Sequence, residues 1–212
     1  MTAIIDYGVG NLFSLEASFR KIGEEIKITK NPEDLKSADR IVLPGVGAFC
    51  DAAKKLNNSG MVPCLFEEIE NGKPILGICL GMQLLFQKSY EYGEYDGLGL
   101  IKGEIRPISE MPGFDESILK VPHMGWNFLH FKNGKHPLFR YVNEGDYVYF
   151  VHSYCGASCA ESTIAVTEYG CETVAAVAEK NVMGCQFHPE KSSDTGLAIL
   201  RSFCEMKVGF CT

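Results

Sequence analysis

The chain has 212 residues, of which 46% are hydrophobic and 22% are charged, and its formal net charge is −7 at pH 7. This length and composition are typical of one folded domain rather than a disordered or fibrous chain, so we treat residues 1–212 as a single domain. The acidic balance argues against a nucleic-acid binder, because phosphate backbones are held mainly by Lys and Arg.

Targeting signals and cysteine usage indicate a cytoplasmic protein. No segment approaches the roughly 18 apolar residues of a membrane span, and the N-terminus does not resemble a signal peptide. The nine cysteines, the last of them Cys211, are an odd number scattered through apolar segments, which suits a reducing compartment. A zinc site formed by His152, Cys155 and Cys159 is an alternative with little support, since no Cys-x-x-Cys pair occurs. We expect no metal, other cofactor or membrane contact.

The N-terminal half predicts strands that alternate with helices. A glycine-rich turn follows the first strand, but Phe13 stands where a dinucleotide fingerprint requires its third glycine, which favours a plain strand-to-helix turn. Alternating strands and helices imply a parallel sheet. The predicted strands are 3–5, 26–29, 41–43 and 74–78, and the predicted helices are 12–22, a short one from 32, and 61–70.

The C-terminal half predicts mainly extended segments. Lys180 and Asn181 are expected to turn a hairpin between the last two of them. We expect these strands to extend the same sheet with antiparallel pairs. The predicted fold class is therefore α/β, with a mixed and mostly parallel central sheet flanked by helices. The predicted strands are 101–105, 147–154, 164–168, 174–179 and 182–187, followed by a closing helix over 195–206.

The segment Gly77–Gly81, with sequence GICLG, lies where a predicted buried strand meets a helix expected over 82–86. It has the pattern of a nucleophile elbow with Cys79 in place of serine, since a sharp turn exposes the thiol and small neighbours avoid Cβ clashes. The N-terminus of the next helix favours the reactive thiolate, and its free N–H groups can bind an oxyanion. A packed cysteine at a tight turn is the alternative.

A base and its orienting partner are candidates at the end of the last predicted strand, in Gln186–Glu190 (QFHPE). His188 can reach across the edge of the sheet toward Cys79, and Glu190 can accept a hydrogen bond from the imidazole nitrogen that faces away from the sulfur. Alone, His-Pro-Glu is better interpreted as a surface turn. Together with the cysteine elbow, it predicts a catalytic triad.

Together, Gly77–Gln83 and Gln186–Glu190 resemble the signature of class I (triad) glutamine amidotransferases. The resemblance covers nearly the whole chain and implies the fold of that family. Within the family, four further segments resemble the glutaminase subunits that serve histidine biosynthesis: 44–47 (PGVG), 122–127 (PHMGWN), 151–154 (VHSY) and 191–193 (KSS).

The resemblance implies that Cys79 attacks the side-chain amide of glutamine, that His188 protonates the departing ammonia, and that Glu190 orients His188. It implies an oxyanion hole formed by backbone N–H groups of Leu80 and of the 44–47 turn, at Val46 or Gly47. The implied glutamine-binding residues are Gly45, Gln83, Glu91, Ser153 and Tyr154. The alternatives are a solvated helix position for Gln83 and a plain strand end for Ser153 and Tyr154.

The resemblance also implies a partner, a (β/α)8-barrel cyclase subunit that receives the ammonia within a heterodimer and forms imidazole glycerol phosphate and an aminoimidazole ribotide. Trp126 is the only tryptophan, and Trp is enriched in interface hot spots, which favours a docking loop over core burial. The predicted interface residues are Asn11, Met124, Trp126, Asn127 and Lys191. Two rivals stay open: a paralogous subunit that feeds a surface-sugar synthase, and a non-catalytic scaffold of the same fold.

Overall fold

The structure, a computed structural model, describes residues 1–209, so Cys211 lies outside the described residues. Its N-terminal half confirms the predicted alternation of strands and helices. The elements in chain order are β1 (Thr2–Ile5), α1 (Leu12–Lys21), β2 (Ile26–Thr29), α2 (Pro32–Ser37), β3 (Arg40–Leu43), α3 (Phe49–Asn58), α4 (Met61–Glu70), β4 (Ile75–Ile78) and α5 (Leu80–Leu84).

The C-terminal half consists mainly of strands and ends in a helix, as expected. Its elements are β5 (Phe86–Ser89), β6 (Tyr95–Asp96), β7 (Ile101–Pro107), β8 (His123–Phe128), β9 (His130–Phe131), β10 (Tyr147–His152), β11 (Tyr154–Ala157), β12 (Thr163–Glu168), β13 (Glu172–Glu179), β14 (Val182–Cys185) and α6 (Ser193–Cys204).

Within residues 1–209, the main sheet has eight strands in the order β2-β1-β3-β4-β14-β13-β12-β9. Pairing is parallel from β2 to β14 and antiparallel from β14 to β9. The hairpin predicted at Lys180 and Asn181 joins β13 to β14. The fold class is therefore a mixed α/β sheet flanked by helices, as the sequence predicted.

Three expectations from the sequence are wrong in detail. The C-terminal strands do not all join one sheet, because β8 pairs with β10 alone and β5, β6, β7 and β11 form a separate four-stranded sheet. The predicted strand 147–154 breaks at Ser153, where the chain leaves β8 and begins to pair with β7, and the Ser153 carbonyl accepts from the Ile108 amide at 2.9 Å. The helix after Cys79 ends at Leu84, so Phe86 begins β5 instead of closing that helix.

Both faces of the parallel strands are buried, which is why β4 is a continuous apolar run. Ile41 and Leu43 pack into one core cluster together with side chains from α2, α3 and α4, while Val42 packs into a second cluster with side chains from α1 and α6. The sheet therefore lies between two layers of helices. Within residues 1–209, no helix is long and apolar enough to cross a membrane.

Two phenylalanines on α1 test this packing. Phe19 is fully buried against the sheet, whereas Phe13 is 81% exposed. Phe19→Ala is expected to lower the free energy of unfolding by about 3–5 kcal/mol through cavity formation. Phe13→Ala is expected to change it by less than about 0.5 kcal/mol, because little buried area is lost. Urea denaturation of the isolated chain measures the free energy of unfolding of both variants. Equal losses of stability in the two variants would contradict this placement of α1.

Candidate active site

Cys79 lies at the junction of β4 and α5 in an unusual backbone conformation, with φ 54° and ψ −112°. Positive φ is uncommon for residues with a side chain, and here the surrounding packing enforces it. A Cβ atom on Gly81 would lie 1.9 Å from the Leu43 carbonyl oxygen, and one on Gly77 would lie 2.7 Å from the Gly81 carbonyl oxygen. Only glycine permits this approach of helix to strands, and the resulting turn places the thiol at the edge of the sheet.

The pairing of β4 with β14 brings the second half of the site to Cys79. Ile78 is in register with Cys185, and the Cys79 amide donates to the Cys185 carbonyl at 2.8 Å. The chain after Cys185 therefore continues past the same edge as the elbow. His188 is held there by its own amide, which donates to the Tyr149 carbonyl at 2.9 Å.

His188 lies between a thiol and a carboxylate. Its Nδ1 is 2.8 Å from Glu190 Oε1, and its ring lies close enough to the Cys79 thiol for the two groups to interact. The His188 and Glu190 side chains are only 4% and 1% exposed. Among residues 1–209 no hydrogen-bond partner reaches Glu190 Oε2, so His188 provides the main compensation for this buried carboxylate. The carboxylate fixes Nδ1 as the protonated nitrogen, which leaves Nε2 for the sulfur.

The charge state of His188 follows from these contacts. Burial lowers the pKa of His188, but hydrogen bonds to Cys79 and Glu190, with the negative charges of both, raise it to about 10. This favours a protonated His188 ring at neutral pH. Because the folded-state pKa lies above the ordinary value of about 6.5, this group stabilises the fold fully below that pH, and the contribution is lost as the pH rises toward 10.

The triad opens into a cleft with a volume of about 340 Å³. Most residues that the sequence suggested for glutamine or oxyanion binding line this cleft. Gly45 does not, because it packs beneath the elbow, where a Cβ atom would lie 2.6 Å from the Gly81 amide nitrogen. The lining residues are Val46, Gly47, Cys79, Leu80, Gln83, Glu91, Pro122, Val151, His152, Ser153, Tyr154, His188 and Lys191.

A larger cleft of about 610 Å³ lies between β7, β12 and residues 156–163. Among the described residues, no histidine lines it and Cys159 is its only thiol. Burial raises the pKa of Cys159, which makes this sulfur a poor nucleophile. The smaller cleft is therefore the better candidate for catalysis.

The 44–47 turn is fixed at one end and open at the other. The Tyr7 hydroxyl donates to the Pro44 carbonyl at 2.6 Å, and Gly10 packs so closely on Pro44 that a Cβ atom would lie 3.0 Å from it. Gly47 has φ 93°, and a Cβ atom there would meet nothing within 4 Å. Val46 and Gly47 thus have space to reorient, whereas Pro44 does not.

Gln83 is buried, so its interpretation as a solvated helix residue is wrong. Its Nε2 donates to the Tyr154 carbonyl at 3.1 Å and to Gln186 Oε1 at 3.0 Å. Glu91 is half-buried, its Oε2 accepts from the Phe49 amide at 2.5 Å, and burial raises its pKa. These contacts fix the positions of the polar groups on this wall of the cleft.

The suggested interface residues fall into two groups. The docking loop expected around Trp126 is instead the strand β8, which pairs with β10. Met124 and Trp126 share its outer face and are 64% and 52% exposed, so core burial of Trp126 is ruled out. Lys191 is exposed beside the cleft. Asn11 caps α1 and Asn127 donates to the Glu168 carbonyl at 2.7 Å, so both side chains also make contacts within the chain.

The sequence predicted no catalytic role for three buried residues of the site: Tyr7, His152 and Gln186. Two of them had a signal in the sequence, since Gln186 is two residues before His188 and His152 directly precedes Ser153. Tyr7 had none, because its contact with Pro44 joins two separate loops.

No metal site is indicated at the residues that the sequence suggested for zinc. Within residues 1–209, Cys64, Glu67 and Glu68 are the one group of potential ligands that converge, and Glu68 already pairs with Lys73 at 2.5 Å.

We expect Glu190→Gln to lower the pKa of His188, because the neutral amide removes a charge that stabilises the imidazolium. Glu144→Gln is the matched control, since Glu144 contacts His130 at 3.0 Å on the surface. NMR titration of labelled histidines, assigned with His188→Gln, measures both. This description would be contradicted if His188 titrates near the ordinary pKa of histidine, or if Glu190→Gln leaves the pKa of His188 unchanged.

Comparison with known proteins extends over nearly the whole chain. Residues 3–206 match the family model for class-I glutamine amidotransferases. The imidazole glycerol phosphate synthase subunit HisH of Sulfurimonas denitrificans is 50% identical over 209 residues, covering 98% of this chain and 99% of that protein. The protein of the same name from Methanosarcina mazei is 50% identical over 205 residues, covering 96% and 97%.

Solved structures agree on the fold. One described as a glutamine amidotransferase superposes with a TM-score of 0.71 at 17% identity, covering 95% of this chain and 98% of the other. The family model and the relatives of nearly full length show that the chain belongs to the class-I glutamine amidotransferase family.

Proposed function

We propose that this chain is the glutaminase subunit of an imidazole glycerol phosphate synthase and that it releases ammonia from glutamine with a Cys79–His188–Glu190 triad. The proposal depends on one observation: the His188 ring contacts a thiol on one side and a buried carboxylate on the other, inside a cleft. Membership of the family and the names of relatives that match nearly the full length support the substrate and the pathway.

In the first step, the Cys79 sulfur forms a bond to the side-chain carbonyl carbon of glutamine. The C=O electron pair moves to oxygen, where the Leu80 N–H at the start of α5 can donate to it. The second donor is a backbone N–H of Val46 or Gly47, once the open end of the 44–47 turn has reoriented. Gly45 and Gly47 make that reorientation sterically accessible.

In the second step, His188 gives its Nε2 proton to the amide nitrogen, the C–N bond breaks, and ammonia leaves a glutamyl thioester on Cys79. His188, now neutral, takes a proton from water as the water attacks the thioester. The C–S bond breaks, glutamate leaves, and the electron pair returns to sulfur. Glu190 holds the ring in the required tautomer throughout.

Substrate binding is assigned to the polar wall of the cleft. Its side chains are Gln83, Glu91, Ser153 and Tyr154, which line the same space as the triad. The Glu91 carboxylate has the charge needed to attract the α-ammonium group of glutamine. Gly45 contributes by its lack of a side chain, which allows the turn to pack against the elbow.

The ammonia acceptor is proposed to be the (β/α)8-barrel cyclase subunit, bound over the mouth of the cleft. Met124 pairs in register with Val151, which lines the cleft, so the exposed apolar face of β8 borders the opening. Exposed Met and Trp side chains beside an active site are typical of a docking surface. Asn11, Asn127 and Lys191 are assigned to its polar rim. The cytoplasmic location expected from the sequence belongs to the same proposal.

Cys79→Ala is expected to abolish ammonia release and to leave complex formation with the cyclase intact, because only the nucleophile is lost. Cys155→Ala, at a fully buried cysteine on β11, is the control and should retain activity.

Glutamine hydrolysis should be slow for the isolated chain and faster with the cyclase and a substrate analogue, because the turn must reorient. Equal rates with and without the cyclase would contradict a regulated turn. Glutaminase activity in the Cys79→Ala variant would contradict the assignment of Cys79 as the nucleophile.

Trp126→Ala is expected to weaken binding of the cyclase at least tenfold, since an exposed indole on the outer face of β8 is lost. Tyr141→Ala is the matched control, because Tyr141 is also an exposed aromatic side chain but contacts Glu205 after the end of α6. Calorimetric titration with the purified cyclase measures both affinities. Equal affinity for the two variants would place the interface elsewhere.

A further inference from the structure

The backbone carbonyl of Tyr154 determines the direction of the hydrogen bonds around Cys79, the proposed nucleophile. It accepts from Gln83 Nε2 at 3.1 Å and from His152 Nδ1 at 2.8 Å. A carbonyl oxygen can only accept hydrogen bonds. Its two partners must therefore be donors, which removes the usual ambiguity of amide orientation and histidine tautomer.

The Tyr154 carbonyl also determines the orientation of the Gln186 side-chain amide. Gln83 must present its amide nitrogen to Tyr154, and the same nitrogen is 3.0 Å from one end of the Gln186 amide, which must then be the oxygen. The other end of that amide is therefore the nitrogen. It lies 3.8 Å from Cys79 Sγ, within the range of a hydrogen bond to sulfur.

On the other side of the carbonyl, a pair of buried histidines keeps the arrangement in place. His152 Nδ1 carries the proton that reaches Tyr154, so its Nε2 accepts from His123 Nδ1 at 3.0 Å. Burial lowers the pKa of His152 to about 3 and that of His123 to about 4, so both rings are neutral at physiological pH. The His123 ring stacks between Phe150 and Tyr169.

We propose that Gln186 is a further catalytic residue, whose side-chain N–H donates to the Cys79 sulfur and stabilises the thiolate. This rests on the proposed function, and it gives the sulfur a second donor besides His188. The donor matters most when the thioester breaks down, because the electron pair of the C–S bond then returns to sulfur while His188 holds the proton taken from water.

The setting makes this donor difficult to replace. Gln186 has no exposed surface, so water cannot take its place beside the sulfur. Its oxygen is occupied by Gln83, which prevents the amide from flipping to present an acceptor. A buried hydrogen bond to a charged group is a strong one, and its loss corresponds to about a tenfold to hundredfold lower rate.

Gln186→Met and Gln186→Glu test the proposal in the full-length chain. Methionine removes the donor with little change in size, and glutamate keeps an acceptor for Gln83 but places a carboxylate beside the sulfur. The readout is the rate of Cys79 alkylation by iodoacetamide against pH, followed by mass spectrometry of the Cys79 peptide, together with kcat and KM for glutamine in the cyclase complex. Either variant suffices if the other does not fold.

The matched control is Asn181→Leu. Asn181 precedes β14, and its buried amide donates to the carbonyls of Ile69 and Lys73 at 2.9 and 2.8 Å, far from Cys79. This variant loses buried amide hydrogen bonds at the other end of β14 without touching the sulfur. It separates an effect on the thiolate from general destabilisation.

The alkylation midpoint is expected to move up by about one pH unit or more in Gln186→Met, further in Gln186→Glu, and not in Asn181→Leu. kcat should fall at least tenfold in both Gln186 variants with little change in KM. A wild-type midpoint in either Gln186 variant, or an equal shift in Asn181→Leu, would overturn the proposal. Alkylation requires neither glutamine nor the cyclase, so the alkylation midpoint tests the role of Gln186 even if the wild-type protein has no glutaminase activity. Such an inactive wild type would contradict the proposed function instead.

Discussion

Backbone hydrogen bonds between β4 and β14 hold two remote chain segments side by side, with Ile78 in register opposite Cys185. Both strands run in the same direction, so the residues that follow them emerge at one edge of the sheet. Cys79 follows the first strand, and Gln186 and His188 follow the second. A shift of this register by one residue would turn the imidazole to the opposite face of the sheet and separate it from the sulfur.

Close packing then converts this meeting point into a reactive site. Glycines at 77 and 81 let helix α5 approach the strands, and the positive φ of Cys79 turns its thiol into the cleft. Burial makes each polar contact there stronger than it would be in water, and it makes an unpaired group costly. The Glu190 carboxylate, the His188 ring and the Cys79 sulfur therefore stabilise one another, while the cleft stays open toward the exposed face of β8.

Much of this arrangement was predictable from the sequence, because its signals are local. The elbow is marked by its glycines, β4 by a continuous apolar run, and His188 with Glu190 by a short motif. What could not be predicted depends on contacts between distant segments. The break at Ser153 arises because the chain exchanges β8 for β7 as its partner, and the burial of Gln83 depends on Gln186 and Tyr154. The periodicity of apolar residues indicates which side chains are buried, but it does not indicate which strands pair with each other.

Trapping the protein with a glutamine analogue that carries an electrophilic carbon tests the central claim most directly. If the cleft binds glutamine and His188 activates the sulfur, the analogue should attach to Cys79 alone, glutamine should protect against it, and His188→Asn should slow it strongly. Mass spectrometry of the digested adduct identifies the modified residue. Modification spread over several cysteines, or unaffected by glutamine, would contradict the account.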